Sequence, residues 1–174
     1  MTAANPTAEQ MLDAENASAM PWSEARERLA DTAKAGHSTS WLTTIRPDGT
    51  PHVVPIGSIW IEDELYFTMG QRTQKGKNLA QNAHCVIASV GRDLDFVIEG
   101  TAAKLTDPTD LQRVADGYTT HGWPLSYANG LLDAPYNAPT TGPSPIEAYK
   151  LTPVIAHGFG TGDDTVFRAT RWRF

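Results

Sequence analysis

The fold is constrained most by a series of short segments between residues 38 and 105 that are rich in β-branched and aromatic residues and end in turn sequences. In the first pair, Pro47-Asp48-Gly49-Thr50 separates residues 38–46 from residues 52–62. This sequence predicts a hairpin turn, because proline fixes one backbone dihedral angle and glycine tolerates a positive one. Further segments of this kind lie at residues 65–69, 84–90 and 94–105, with Gly91-Arg92-Asp93 between the last two. Strands therefore dominate this half of the chain.

Two other segments have apolar residues at helical spacing. Residues 21–35 place Trp22, Ala25 and Leu29 on one face of an amphipathic helix. Asp107 followed by Pro108 is typical of a helix start, and that helix is expected to end near residues 121–122. Three more strands are expected at about residues 146–152, 155–159 and 166–172.

Two stretches lack a regular pattern. Residues 1–19 have no sustained apolar face, which predicts a flexible lead-in that is mobile or loosely docked. Residues 123–145 contain five prolines, which predicts a long loop, and long loops in compact domains are often functional. The length of 174 residues fits one domain with its own core, so residues 20–174 are predicted to form a single domain.

Residues 71–79 put three cations, Arg72, Lys75 and Lys77, at the start of a predicted short helix that follows a strand. The N–H groups at a helix start carry about half a positive charge, so basic residues there cost up to about 1 kcal/mol unless an anion lies among them. Thr73 is a candidate N-cap whose hydroxyl serves either the helix or a phosphate oxygen, and Gly76 permits close backbone approach. A bound phosphate and a solvated basic turn are equally open interpretations.

The overall composition excludes several classes of function. A net charge of −6 argues against binding to nucleic acid or to an anionic membrane, and one basic cluster is not the spread basic groove of a nucleic-acid binder. Cys85 is the only cysteine, so no disulfide or multi-cysteine metal site is expected, and a reducing cytoplasm fits. The sequence lacks an apolar run long enough for a membrane span and lacks the basic and apolar regions of a signal peptide.

Hydrolytic and metal chemistry find little support in the motifs. The sequence has no Gly-x-Ser-x-Gly nucleophile elbow, and its five histidines show no metal-ligand spacing, so no metal is expected and each histidine is interpreted as a strand or loop residue with a local hydrogen bond. Neighbouring side chains of a strand point to opposite faces, so His84 and Cys85 make a poor catalytic pair and Cys85 is interpreted as a buried structural thiol. Trp41 and Trp60 are interpreted as core or dimer-interface packing.

Four segments together match a known family pattern. The chain resembles the pyridoxamine 5′-phosphate oxidase-like split β-barrel proteins, the flavin and deazaflavin-dependent oxidoreductase group, over about residues 21–174. The segments are Arg46-Pro47-Asp48-Gly49-Thr50-Pro51-His52-Val53-Val54-Pro55, Asp63-Glu64-Leu65-Tyr66-Phe67, Arg72-Thr73-Gln74-Lys75-Gly76-Lys77-Asn78-Leu79, and Thr170-Arg171-Trp172-Arg173-Phe174. This ending differs from that of the vitamin-processing oxidase. It looks more like the branch abundant in actinobacteria, many members of which use the deazaflavin coenzyme F-420 while others bind FMN or haem.

The resemblance implies an FMN-binding split β-barrel that forms a homodimer with the cofactor at the interface. It implies that Lys75 is the main phosphate cation, and that Asn78 and Leu79 hold the helix against the barrel. It also implies a cofactor site in which Arg72, Thr73, Gln74 and Lys77 surround the phosphate, Met69 and Gly70 border it, and Pro55, Ile56, Gly57 and Ser58 follow the ring edge. Trp172 and Arg173 are expected near the ring or an anionic substrate, and Trp123 and Tyr127 are expected to form a substrate lid.

The function implied by the resemblance is that of an FMN- or F-420-dependent oxidoreductase. Hydride would pass between the bound cofactor and a small unsaturated organic substrate. Because the cofactor carries the chemistry, no dedicated catalytic side chain is expected. The alternative is a non-catalytic carrier or sensor of a flavin, a haem or a lipid-like ligand on the same fold.

Overall fold

The computed structural model describes residues 4–12, 18–34, 39–136, 141, 144–161 and 169–174. Within them the chain forms strands and three helices in the following order. The elements are β1 (Ala8–Met11), α1 (Trp22–Lys34), β2 (Ser40–Ile45), β3 (Pro51–Ile56), β4 (Ser58–Ile61), β5 (Glu64–Gly70), α2 (Gln74–Gln81), β6 (His84–Ser89), β7 (Leu94–Lys104), α3 (Pro108–Thr120), β8 (Ser126–Ala128), β9 (Leu131–Asp133), β10 (Ile146–Gly160) and β11 (Ala169–Arg173). None of the helices described is both long enough and apolar enough to cross a membrane.

The long strand β10 organises an antiparallel sheet. One of its edges pairs with β7, with a register shift between Pro153 and Ile155. Its other edge pairs first with β5 and then with β11, so the sheet divides along this edge. From β7 the order continues through β6 and β2 to β3, and β4 pairs with β5. The fold is therefore mainly β and a split barrel, as the sequence predicted.

Two groups of buried side chains fill the structure. The larger one lies inside the barrel and includes Trp22, Phe96 and Trp172, whose rings lie within 6 Å of one another, centroid to centroid. The smaller one lies under α3 and includes Val114 and Tyr118. Cys85 belongs to the larger group, which confirms its interpretation as a buried thiol.

The predicted turns and helix starts are confirmed where their sequence signals are strong. In the β2–β3 hairpin the Arg46 N–H donates to the Thr50 carbonyl at 2.9 Å, and Gly49 has a φ of +83°. At the start of α3 the Asp107 carboxylate accepts from the N–H groups of Thr109 and Asp110, as expected of an N-cap.

Four predicted elements differ from the structure. Residues 8–11 of the expected lead-in form β1, which pairs with β11, whereas residues 1–3 and 13–17 lie outside the described part. The single arm expected at residues 52–62 is divided into β3 and β4 at Gly57, and the two strands expected at residues 146–159 are one strand, β10. The long loop expected at residues 123–145 contains the β8–β9 hairpin. Its turn, Asn129-Gly130, has φ angles of 54° and 80°, as a two-residue hairpin turn of the primed type requires.

Candidate functional site

The turn from β5 into α2 is closed by the Thr73 side chain. Thr73 is the N-cap of α2, and its hydroxyl oxygen accepts from the Gly76 N–H at 3.3 Å. The same hydroxyl donates to the Gly70 carbonyl at 2.8 Å. Its only proton is therefore used within the turn, and of the two roles that the sequence left open the hydroxyl performs the capping role.

Gly76 allows α2 to lie close to the end of β5. A Cβ atom at this position would be 2.9 Å from the carbonyl oxygen of Gln71 and 3.2 Å from that of Gly70. The first distance is too short for a Cβ atom and the second is tight, so the close approach that Gly76 permits is an approach of the helix to its own preceding turn. The tight turn fixes the first residues of α2 against the strand end.

The three cations of this segment have different surroundings. Arg72 and Lys77 are exposed, whereas Lys75 is only 3% exposed. Burial lowers the pKa of the Lys75 ammonium, because removal from water disfavours the charged form. Gln74 is exposed, and its amide nitrogen donates to the Asn78 side-chain oxygen at 2.8 Å. Only Lys75 is therefore carried into the interior.

The docking of α2 explains where Lys75 lies. Asn78 is fully buried, and its amide nitrogen donates to the Thr44 hydroxyl on β2 at 2.9 Å. Lys75 precedes Asn78 by three residues and so shares its face of the helix. Thr44 pairs with His52 on β3, and residues opposite each other in a ladder point to the same face. Asn78 therefore holds the helix against the barrel, and Lys75 lies on the face that meets the β2–β3 pair.

His52 lies at this meeting point and was not among the residues predicted to bind. Its pKa is lowered, first by burial and then by the positive charges of Arg46 and Lys75. Its Nδ1 atom is buried and has no hydrogen-bond partner in the described part of the chain, so this nitrogen does not make the local hydrogen bond that was expected. The Arg46 Nη1 atom donates to the Pro51 carbonyl at 2.9 Å. Arg46, His52 and Lys75 are called the basic cluster below.

The residues predicted to follow the ring edge lie at the junction of β3 and β4. Ile56 is buried, whereas Gly57 is exposed. The Gly57 carbonyl accepts from the Tyr118 hydroxyl at 2.9 Å, and the Ser58 and Ser40 hydroxyl oxygens are 2.7 Å apart. Pro55 and Ser58 are half-buried. The Tyr118 hydroxyl therefore fixes the backbone of this junction, and Gly57 exposes its backbone at the surface without a side chain.

The two residues expected to border the phosphate end lie at the end of β5. Met69 is completely buried, and Gly70 donates its N–H to the Thr141 carbonyl at 2.6 Å. The Gly70 carbonyl accepts the Thr73 N–H at 3.1 Å. Met69 and Gly70 therefore adjoin the start of α2, and the Gly70 carbonyl closes the turn between β5 and α2.

The four residues predicted to contact ring or substrate lie on other elements of the described structure than the basic cluster does. Trp172 is completely buried, and its indole N–H donates to the Met20 carbonyl at 3.0 Å, so it packs in the core of this chain. Arg173 is exposed at the end of β11. Trp123 lies edge-on to Tyr118, with 5.2 Å between ring centroids, and Tyr127 is half-buried against the same core group. Their roles toward a ring or substrate stay predictions.

The chemistry of the site fits a phosphate group. The positive charges of Arg46 and Lys75 both act on the His52 imidazole, and among the described residues the buried Nδ1 atom of that ring has no hydrogen-bond partner. Ammonium, guanidinium and imidazolium groups are the side-chain donors that bind phosphate through charge-assisted hydrogen bonds. FMN and coenzyme F-420 both present a phosphate, so Lys75, His52 and Arg46 are suited to hold that part of either molecule.

Comparison with known proteins gives the family. A family model described as pyridoxamine 5′-phosphate oxidase matches residues 22–124, which is more than half of the chain. No curated protein matches the sequence.

Solved structures share the fold at low sequence identity. The structure of PhzG from Burkholderia lata in complex with tetrahydrophenazine-1-carboxylic acid has a TM-score of 0.61 and 16% identity, with 92% of this chain and 89% of that chain covered. A pyridoxamine 5′-phosphate oxidase-related, FMN-binding protein from Nostoc punctiforme has a TM-score of 0.54 and 19% identity, with 82% and 85% covered. An F-420 reductase has a TM-score of 0.50 and 20% identity, with 75% and 94% covered. The chain thus belongs to the pyridoxamine 5′-phosphate oxidase family.

Proposed function

We propose that the chain is an oxidoreductase that uses FMN or coenzyme F-420, with the cofactor's phosphate bound at the basic cluster. The observation that carries the proposal is the burial of Lys75 in α2, on the helix face that meets the β2–β3 pair, where its charge acts on His52 together with that of Arg46. When bound, such a cofactor supplies hydride exchange with a small unsaturated organic substrate. The FMN-binding relative and the F-420 reductase on the same fold support a cofactor of this class.

The role of the protein's own residues in this proposal is to bind the cofactor and to orient its ring. Thr73 and Gly76 fix the turn that carries Lys75, and Asn78 anchors α2 to β2. In the proposal, the backbone of residues 55–58 follows the ring edge, with Gly57 leaving space at the surface and the Tyr118 hydroxyl fixing its carbonyl. Arg72, Gln74 and Lys77 are exposed at the same helix start and are proposed to contribute to the outer side of the phosphate site. Preorganised groups of this kind accelerate reactions without a dedicated acid or base.

The proposal includes a homodimer formed through the outer face of the β2–β3 pair. Trp41 pairs with Pro55, and Thr43 with Val53, so these side chains share one face. Trp41 is 45% exposed and Val53 is 53% exposed. Contiguous exposed apolar side chains mark interaction surfaces, and this surface adjoins the residues proposed to follow the ring. A second copy on this face would cover the cofactor.

Two titrations on cofactor-stripped protein test the proposal. FMN and coenzyme F-420 are added separately while cofactor fluorescence is followed, with riboflavin, which lacks the phosphate, as the control ligand. We expect one of the two phosphorylated cofactors to bind at micromolar concentration or below and riboflavin to bind more weakly. Failure of both to bind at micromolar concentration would refute the proposed function.

A turnover assay separates the enzyme from a carrier. The preferred cofactor is reduced, bound and mixed under anaerobic conditions with a panel of activated double-bond compounds, and its absorbance is recorded. Substrate-dependent reoxidation supports the oxidoreductase. Tight binding with no reoxidation by any compound of the panel would favour the carrier or sensor on the same fold.

A further inference from the structure

The basic cluster contains one group whose charge is not fixed near neutral pH. An unperturbed imidazole titrates near pH 6.5, within the range where the charge of a histidine depends on pH. Burial, Arg46 and Lys75 all act against protonation of His52, and its pKa is lowered. In the cofactor-free protein the His52 imidazole is therefore mostly neutral at pH 7.

Other groups near His52 do not reverse this effect. Asp48, in the same hairpin turn, accepts from the backbone N–H and the hydroxyl of Thr50, at 2.9 Å and 2.6 Å. Cys85 lies opposite Thr44 on the far side of β2, and burial raises the pKa of its thiol to about 12, so it is neutral. Among the described residues, the charges that act on the imidazole are those of Arg46, from the end of β2, and Lys75, from α2.

We propose that His52 takes up a proton when the cofactor's phosphate binds in the basic cluster, so that cofactor binding is linked to pH through this imidazole. The inference rests on the proposed function and adds a regulatory property to its site. A phosphate dianion bound there would oppose the positive charges of Arg46 and Lys75 that act on the imidazole. Its oxygens also offer acceptors to Nδ1, the buried nitrogen that has no partner among the described residues. Both effects favour the imidazolium form.

The linkage predicts a pH dependence of affinity. Each unit by which bound phosphate raises the pKa of His52 makes binding about tenfold tighter below both pKa values than above them. The phosphate monoester of FMN has a second pKa near 6, and its protonation weakens FMN binding at low pH in any variant. The His52 contribution is therefore the difference between the wild type and a variant with a neutral, non-titrating residue.

Calorimetry measures that difference directly. FMN is titrated into cofactor-stripped wild type and His52→Asn at pH 7, in buffers of different ionisation enthalpy, which gives the number of protons taken up on binding. On binding FMN, we expect the wild type to take up a larger fraction of a proton than His52→Asn does. On binding riboflavin, we expect equal proton uptake by the two proteins. Equal proton uptake with FMN would overturn the inference. F-420 replaces FMN where it is the cofactor that binds.

A second measurement needs only the wild-type chain and inorganic phosphate. The ring C–H signals of the histidines are followed by NMR from pH 5 to 8, with and without phosphate, and the His52 signal is assigned by its absence in His52→Asn or, where that variant does not fold, His52→Gln. A pKa of His52 raised by phosphate supports the inference, and an unchanged pKa overturns it. A raised pKa in a protein that binds neither cofactor would refute the proposed function and leave the proton link standing.

Discussion

Replacement of Lys75 by methionine tests the proposed phosphate site most sharply. The side chain is 3% exposed, so its interaction with a phosphate is weakly screened by salt. A hydrogen bond to a charged group contributes about 1.5–3 kcal/mol, which corresponds to a dissociation constant about 12- to 140-fold larger in Lys75→Met. Methionine keeps most of the apolar stem, so the helix packing that depends on Asn78 stays in place.

The matched control is Lys77→Met, two residues further along α2. Lys77 is exposed, and exposed charge pairs contribute about 0–1 kcal/mol, so its dissociation constant should change by no more than about fivefold. Burial lowers the pKa of Lys75, meaning that the folded chain holds the ammonium less favourably than the unfolded chain does. Lys75→Met should therefore not lower the melting temperature of the cofactor-free protein. Equal dissociation constants for Lys75→Met and Lys77→Met would refute the placement of the phosphate.

Three further predictions concern packing, pH and assembly. Gly76→Ala should lower the free energy of unfolding in urea by about 1–2 kcal/mol, because the clash of its Cβ with the Gln71 carbonyl at 2.9 Å outweighs the gain in helix propensity; a more stable variant would contradict this. Burial alone would raise the pKa of Glu64, but hydrogen bonds from Lys150 and a tyrosine hydroxyl lower this pKa overall in the folded chain. The ionised Glu64 carboxylate therefore stabilises the fold at a pH above its pKa in the unfolded chain, and this stabilisation is lost as the pH falls through its pKa in the folded chain. The urea midpoint of Glu64→Gln should therefore fall less between pH 6 and 3 than that of the wild type, and parallel curves would exclude the effect. Trp41→Glu should convert the proposed dimer to monomer in sedimentation velocity, and an unchanged sedimentation coefficient would locate the interface elsewhere.

The elements predicted correctly are those whose local chemistry decides their structure. Asp107 before Pro108 can start α3 whatever surrounds it, and Gly49 supplies the positive φ of its hairpin turn alone. The β8–β9 hairpin shows a signal that was present but was masked by the prolines around it. Asn129-Gly130 is among the strongest short hairpin signals, but each of the strands that it joins is only 3 residues long.

The elements predicted incorrectly depend on distant partners. Strand β1 has little intrinsic preference for β structure, and it forms where the edge of β11 offers hydrogen bonds, including that from the Thr7 N–H to the Arg173 carbonyl at 2.6 Å. The continuity of β10 likewise depends on β7, which accommodates a register shift at Pro153 and Ile155. Pairing between segments that are far apart in the chain leaves no local trace in a single sequence.

His52 was missed for the same reason. In the sequence it is one histidine of a strand, and only the register of β3 with β2, together with the docking of α2 through Asn78, brings it to Lys75. The segment that contains Lys75 was noticed because three cations at a helix start are unfavourable in themselves, and the family resemblance implied Lys75 as the main phosphate cation within it. The sequence thus pointed to Lys75, whose segment is unusual by itself, and did not point to His52, whose position depends on tertiary structure.

The different burial of the three helix-start cations bears on the choice that the sequence left open. A solvated basic turn would leave its cations in water, as Arg72 and Lys77 are. Lys75 instead lies inside, where burial opposes its charge, and it faces an imidazole that it helps to keep unprotonated. In the proposed function, a phosphate dianion at this point would interact favourably with the positive end of α2, with the Lys75 ammonium and with the imidazolium form of His52. This coincidence favours the bound phosphate over the solvated turn, and it implies that the cofactor should stabilise the folded chain more than its contacts with the exposed cations would by themselves.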